Sequence, residues 1–181
     1  MAGLESALKP LEEFRRLPRN PKTHDLGELS LSADRFGFLE RVIVNRTTGH
    51  LVAGHGRVDL LRSSKERGEN PPQNVEVGEL GGDWLVPTDY VDLAEEEEEA
   101  AAVALNRLTE LGGWDSSALA DVLKDLAEAD ALEGIGYDAD DVSAMIEAAD
   151  VSGIEFPEYD ESAADDVKTV ECPECGHEFP A

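Results

Sequence analysis

The pattern of apolar and polar residues in the first half of the chain predicts short strands and amphipathic helices. Apolar residues at 42–44 and 51–53 flank Thr47-Thr48-Gly49, a combination that is typical of a β-hairpin. Helical periodicity marks three more segments, residues 26–38, 58–67 and 94–111. Strand composition marks residues 84–93, and a short strand or a turn of helix is expected over 8–17. These elements predict a mixed α/β (α+β) domain over residues 8–111.

The second half of the chain is predicted to be helical and then irregular. Apolar residues recur at i, i+3, i+4 and i+7 from Leu119 and again from Val142. Asp115 or Ser116 and Asp138 are suited to cap the two helices. We therefore expect a helical hairpin over 112–150. An acidic, aperiodic segment follows over 151–169, and its composition predicts a disordered linker.

Charge is distributed unevenly along the chain. The 181 residues carry a net charge of −26. Residues 1–70 contain 12 Lys+Arg and 10 Asp+Glu, a net charge of +2, and residues 71–181 contain 3 and 31, a net charge of −28. Phosphate groups bind to basic surfaces, so a nucleotide or nucleic-acid contact is expected in the first 70 residues. The acidity itself is typical of proteins from salt-loving organisms, and a DNA-mimicking surface is the alternative.

Five consecutive glutamates occupy residues 95–99, at the start of a predicted helix. Negative charge is favourable at the positive end of a helix dipole, although five neighbouring carboxylates repel one another. The run is expected to form a solvated face rather than a metal site.

The segment Gly54-His55-Gly56-Arg57 joins the second strand of the hairpin to a helix. Two glycines allow a tight turn and a close approach of the backbone to a ligand. Free N–H groups at the helix start, the helix dipole and the Arg57 guanidinium would all favour an anion. The corner is therefore a candidate phosphate-binding site. The alternative is a plain turn in which Arg57 lies on the surface.

The order of several short motifs resembles the N-terminal domain of the ParB/sulfiredoxin superfamily, above all the nuclease-labelled ParB-like domains of phages and proviruses. These motifs are Pro-Leu-Glu-Glu-Phe at 10–14, Asn-Pro-Lys-Thr-His at 20–24, Phe-Gly-Phe at 36–38, Val-Ile-Val at 42–44, Leu-Val-Ala-Gly-His-Gly-Arg at 51–57, Val-Pro at 86–87 and Ala-Leu-Asn-Arg-Leu-Thr-Glu-Leu at 104–111. They span about 105 of the 181 residues. The resemblance implies a small ParB-like sheet with packed helices.

The resemblance also implies a role for the corner. In ParB partition proteins a similar turn grips nucleotide phosphates, and an Asn on the later helix, which Asn106 resembles, assists with nucleotide and Mg²⁺. Here His55 and Gly56 stand where those proteins have Glu and Arg, so nucleotide hydrolysis does not carry over. Sulfiredoxins have a nucleophilic Cys in this turn, and its absence excludes their chemistry. Small-molecule kinases of the same fold have a Gly-His-x-Arg turn, which leaves phosphoryl transfer open.

The candidate binding residues are Gly54, His55, Gly56, Arg57, Asn106 and Arg107. His55 is also the candidate catalytic residue, since imidazole titrates near neutral pH, whereas His24 is expected only to form hydrogen bonds within its loop. Arg107 is nearly the only basic residue of the acidic half, and the alternative is that it pairs with carboxylates such as Glu110.

A second motif lies at the end of the chain, over residues 170–181. Cys172-Pro173-Glu174-Cys175-Gly176 resembles one knuckle of a zinc ribbon, whose turn directs two thiolates at one metal ion. With His177 the segment supplies at most three ligands, whereas a closed zinc site takes four. Zn²⁺ binding thus requires groups from another chain, and a flexible tail with two free thiols is the alternative.

Three classes of function remain open. The first is a ParB-like binding protein of a mobile element, which binds a nucleotide or DNA phosphate and supports DNA modification or maintenance. Its expected partners are a DNA methylase or another phage protein. The second is a metal-dependent nuclease or phosphotransferase, and the third is a dimeric adaptor. No apolar run is long enough to span a membrane, so a cytoplasmic protein is expected, with a homodimer left open.

Overall fold

The computed structural model describes residues 5–79, 82–152 and 169–180. The helices are α1 (Leu26–Phe36), α2 (His55–Glu66), α3 (Glu98–Gly112), α4 (Ser116–Glu128) and α5 (Ala139–Ser152). The strands are β1 (Glu5–Pro10), β2 (Arg15–Arg16), β3 (Val42–Asn45), β4 (His50–Ala53), β5 (Glu76–Val77), β6 (Trp84–Val91), β7 (Thr169–Glu171) and β8 (Glu178–Pro180). Single 3₁₀ turns follow β1 and precede α3.

Six strands form one mixed sheet in the order β1-β6-β3-β4-β2, and β5 pairs with the start of β6. The long strand β6 runs antiparallel to β1 and parallel to β3. β3 and β4 form the predicted antiparallel hairpin, with a register irregularity between Ile43 and Val44. A parallel pairing of β2 with β4 completes the sheet. The predicted α+β class is therefore confirmed.

Helices cover both faces of the hairpin, because successive strand residues point to opposite sides. Val42, Val44 and Leu51 pack in a core that includes Val58 and Leu61 of α2. Ile43 and Val52 belong to a second core, which includes Ala102 of α3. The hairpin thus lies between α2 on one face and α3 on the other.

The start of α3 is held by the carboxylate of Glu98. This residue is buried, with only 2% of its surface exposed. Asn45 donates to this carboxylate through Nδ2 at 2.6 Å, His50 Nδ1 lies 3.0 Å from it, and the Thr48 hydroxyl also donates to it. Burial raises the pKa of Glu98, but these hydrogen bonds outweigh burial and lower the pKa below its ordinary value. The prediction that residues 95–99 form a solvated face is therefore wrong for Glu98.

Helices α4 and α5 pack against each other as the predicted helical hairpin. The Asp115 carboxylate accepts from the Ala118 N–H at 3.0 Å, and that of Asp138 accepts from the Asp141 N–H at 2.8 Å, so both predicted caps are present. The connection between these helices contacts α1, where Arg35 donates to the carbonyl oxygen of Ala131 at 2.9 Å. Of the predicted linker over 151–169, residues 153–168 lie outside the described residues, while its first two residues belong to α5 and its last to β7.

Replacing Glu98 with Ala should destabilise the protein by about 3 kcal/mol, because the donors of Asn45, Thr48 and His50 would lose their buried acceptor. Chemical denaturation of the full chain measures this loss. The matched control is Glu96→Ala, which removes an exposed carboxylate from the same run and should change stability by less than about 0.5 kcal/mol. Equal effects of the two substitutions would contradict the anchoring role of Glu98.

Candidate phosphate-binding site

The corner between β4 and α2 requires glycine at its first position. Gly54 caps α2 in the left-handed region, with φ of 94°. A Cβ atom at this position would lie 2.5 Å from Cγ1 of Val42, which is fully buried in β3. Both the backbone conformation and the close approach to β3 therefore exclude a side chain.

The first turn of α2 presents unpaired backbone donors. The first hydrogen bond of the helix runs from the Val58 N–H to the Gly54 carbonyl oxygen, at 3.0 Å. The N–H groups of His55, Gly56 and Arg57 precede that bond, and the helix dipole adds partial positive charge at this end. This arrangement favours an anion.

A cleft of about 510 Å³ opens in front of this helix end. Its lining comes from the loop over 20–24, from residues 40–43, from the 54–57 corner and from the second half of α3. Lys22, Arg41 and Arg57 provide three cations at this cleft, against the carboxylates of Glu40 and Glu110. The site thus combines helix donors with an excess of basic side chains.

All three cations lie near carboxylates: Arg41 Nε is 3.8 Å from Asp89 Oδ1, and the other two hold carboxylates at the protein surface. Arg57 Nη1 lies 2.7 Å from Glu40 Oε2 and donates at 2.7 Å to the Glu40 carbonyl oxygen. Lys22 Nζ lies 3.1 Å from Glu110 Oε1. The side chains of Glu40 and Glu110 are 82% and 50% exposed, so both carboxylates can move into solvent at little cost when a phosphate replaces them.

Asn20 lines the same cleft and has a buried side-chain donor without a partner. Its Oδ1 accepts from the Lys22 N–H at 3.2 Å. Its Nδ2 has no hydrogen-bond partner, and it is the one such atom among the buried side-chain nitrogen and oxygen atoms of the described residues. A buried amide nitrogen without a partner is energetically costly.

His24 packs directly against the backbone of the corner. A Cβ atom at Gly56 would lie 2.6 Å from Cγ of His24, so the ring occupies the space that a side chain at position 56 would need. Partial burial, followed by the charges of Lys22, Arg16 and Arg57, lowers the pKa of His24, although Asp59 opposes the shift. The imidazole is therefore neutral at pH 7, in contact with the first turn of α2.

His55 is directed into the protein. His55 is only 4% exposed, and its Nε2 accepts a hydrogen bond from the Leu17 N–H at 3.4 Å. Burial, with Arg16 and His24 adding to it and Asp59 opposing it, lowers its pKa to about 4. A neutral, buried imidazole has no charge to offer a phosphate, so the geometry gives this ring a role in positioning the corner.

The two candidates on α3 lie in different places. Asn106 lines the cleft and donates through Nδ2 to the Ala102 carbonyl oxygen at 2.8 Å, which leaves its Oδ1 for a ligand. Arg107 lies in a neighbouring groove, is 60% exposed and pairs with Glu110 at 3.4 Å. The structure therefore brings Asn106 to the corner and leaves Arg107 outside the cleft.

Sequence reasoning missed several residues of the cleft. Asn20 and Lys22 belong to one of the motifs that carry the family resemblance, but nothing in the local sequence indicates that this loop faces the corner. Thr109 and Glu110 belong to the acidic half of the chain, which charge counting had placed away from any phosphate. Helical spacing could have indicated these residues of α3, because Asn106 and Glu110 are four positions apart and therefore share one face of the helix.

The predicted metal ligands lie on the β7–β8 hairpin. Cys172 and Cys175 occupy its turn as free thiols, together with His177. No group of three or more His, Cys, Asp or Glu side chains within the described ranges is arranged to hold a metal ion.

Among the described helices, none has the length and apolarity needed to cross a membrane.

Protein-family models and curated proteins give no match to this chain. Among solved structures, the chain is similar to the C-terminally truncated chromosome-partitioning protein ParB from Caulobacter crescentus complexed with CTP-γ-S. The identity is 21% and the TM-score 0.46, over 80% of this chain and 71% of that one. It is also similar to two structures of a pNOB8-like ParB N-domain, with identities of 14% and 13% and TM-scores of 0.41 and 0.34. Those matches include 99% of this chain but only 59% and 55% of the other chains.

Replacing Gly54 with Ala should destabilise the protein by about 3 kcal/mol, because it combines a strained φ with a clash against Val42. Gly68→Ala is the matched control, since Gly68 also has a positive φ, of 75°, but has no atom within 4 Å of the added Cβ. The control should cost about 1 kcal/mol. Thermal or chemical denaturation compares them, and equal losses would show that the contact with Val42 is unimportant.

The low pKa of His55 predicts a loss of stability in mild acid. The unfolded imidazole titrates at its ordinary value of 6.5, while the folded one has a pKa of about 4. Between these values the unfolded state binds more protons, so stability falls as the pH decreases through this window. NMR titration of the His55 ring and denaturation at a series of pH values test this. A folded-state pKa near 6.5 would contradict it, and His55→Gln should reduce the slope by the contribution of one proton.

Proposed function

We propose that this chain is a ParB-like binding protein whose cleft at the 54–57 corner holds the phosphate groups of a nucleotide. One observation carries the proposal: the N-terminus of α2 and the Arg57 side chain both line the same cleft. Backbone N–H groups and a guanidinium are both strong donors to phosphate oxygens. The sequence resemblance of the corner to that of ParB partition proteins supports the same class of ligand.

The shape of the cleft favours a small ligand over a DNA duplex. A volume of about 510 Å³ is within the usual range for small-molecule sites. The loop over 20–24 and the second half of α3 contribute to its walls, whereas a duplex requires an open basic surface. We therefore propose the nucleotide as the ligand and treat DNA phosphate as the alternative.

Arg57 is the residue on which binding should depend most. Its side chain is 22% exposed, and its Cζ lies 6.0 Å from the ring centroid of Phe38. Burial lowers the pKa of Arg57, and Glu40 partly opposes this shift. Because the guanidinium is held in place and partly desolvated, its hydrogen bonds to a phosphate would be strong.

Magnesium fits the same ligand. Asn106 Oδ1 and Thr109 are oxygen groups at the cleft, and Mg²⁺ bound to a nucleotide is normally held by few protein oxygens and several waters.

A metal-dependent nuclease or phosphotransferase is the alternative function. In the wider proposal, the protein belongs to a mobile element and supports DNA modification or maintenance, with a DNA methylase or another phage protein as partner.

Binding measurements on matched variants test the nucleotide proposal. The full chain is titrated with the four ribonucleoside triphosphates and with a short DNA duplex, with and without Mg²⁺, at several salt concentrations. Arg57→Ala should weaken nucleotide binding about 10- to 100-fold, because it removes a charged donor. Glu40→Gln should strengthen binding up to about fivefold, because it removes the carboxylate that competes for Arg57.

The control is Arg67→Ala, which removes the same charge at the opposite end of α2 and should leave affinity unchanged. Equal affinity of wild type and Arg57→Ala would refute the phosphate site. Tight duplex binding with a steep salt dependence, and no nucleotide binding, would favour the DNA alternative. Product formation that needs both Arg57 and Mg²⁺ would establish an enzyme.

A further inference from the structure

The turn of the β7–β8 hairpin places the Cys172 and Cys175 thiols where both could bind one metal ion. The turn between the strands is closed by two hydrogen bonds: the Cys172 N–H donates to the His177 carbonyl oxygen and the Gly176 N–H to that of Cys172, both at 2.9 Å. Gly176 has a positive φ of 73°, which suits glycine. The turn is therefore tight and fixed at both ends, with a cysteine at its first position and another three residues later.

The sulfur of Cys172 is surrounded by donors. The backbone N–H groups of Glu174 and Cys175 and the thiol of Cys175 lie close enough to donate to it. These contacts bring the two sulfurs side by side. Cys172 is half-buried and Cys175 is exposed, so the pair is accessible from outside.

Two sulfurs are half of a structural zinc site. Zinc in such sites has four ligands in a tetrahedron, and Cys is the preferred type. Within the part of the chain that the structure describes, no third His, Cys, Asp or Glu side chain joins the pair, and His177 is not grouped with it. The two remaining positions must therefore be filled from outside the hairpin.

We propose that two copies of this chain share one zinc ion, held by Cys172 and Cys175 of each copy. A two-fold axis through the ion gives both copies the same contact, as in most homodimers. The second copy supplies two more sulfurs already arranged in the same turn, so no other protein is needed. Each chain carries a net charge of −26, so the copies repel one another, and the metal–sulfur bonds must outweigh this repulsion.

Metal titration of the full chain tests this proposal. The reduced, metal-free protein is titrated with Zn²⁺ while its mass is followed by light scattering, at a salt concentration high enough to screen the repulsion. We expect about one zinc ion per two chains and a doubling of mass that a chelator reverses. Cobalt as a probe should give the absorption of a tetrahedral, all-sulfur site.

Single-residue variants separate this site from its alternatives. Cys172→Ser and Cys175→Ser should each abolish zinc-dependent dimerisation, while His177→Ala, the matched control within the same hairpin, should leave it intact. One zinc ion per monomer, or a site that requires His177, would overturn the proposal in favour of a single-chain site. Failure of the reduced wild type to bind zinc would also overturn it. Circular dichroism confirms that the rest of the fold is unchanged in each variant.

Discussion

The position of α3 depends on the buried carboxylate of Glu98. That group ties the first turn of the helix to the turn of the β3–β4 hairpin through Asn45, Thr48 and His50. From there α3 and β4 run along each other: eight helical residues to Asn106 rise about 12 Å, and four strand residues to Gly54 about 13 Å. The anchor at one end of the hairpin therefore positions Asn106 beside the 54–57 corner at the other end.

The corner itself is shaped by two close approaches with different consequences. At Gly54 the neighbour is Val42 in the centre of the sheet, so the backbone path from β4 into α2 has no freedom. At Gly56 the neighbour is the ring of His24, which belongs to a loop. The loop over 20–24 can pack on the helix start because position 56 has no side chain. Gly56, which departs from the partition-protein pattern, thus allows this loop to form one wall of the cleft.

The sequence predicted those features that depend on neighbouring residues. A glycine turn that opens a helix, the β-branched hairpin and the caps at Asp115 and Asp138 are local patterns, and the structure contains all of them, although α2 already begins at His55 and includes Gly56. Glu98 could not be predicted, because nothing in a run of five identical residues distinguishes the one that faces three buried donors. The pairing of Lys22 with Glu110 joins residues 88 positions apart and depends on how α3 lies across the sheet.

The carboxylates at the cleft explain how a strongly acidic chain can present an anion site. Glu40 and Glu110 pair with Arg57 and Lys22, and both carboxylates are exposed enough to move into solvent. A phosphate, as proposed, would therefore have to offer more than charge, and geometry would provide this: its oxygens could accept from the helix N–H groups and from Arg57 at once. If the cleft binds phosphate as proposed, the acidity of the chain would favour a compact phosphate over a long polyanion, whose other charges would lie over acidic surface.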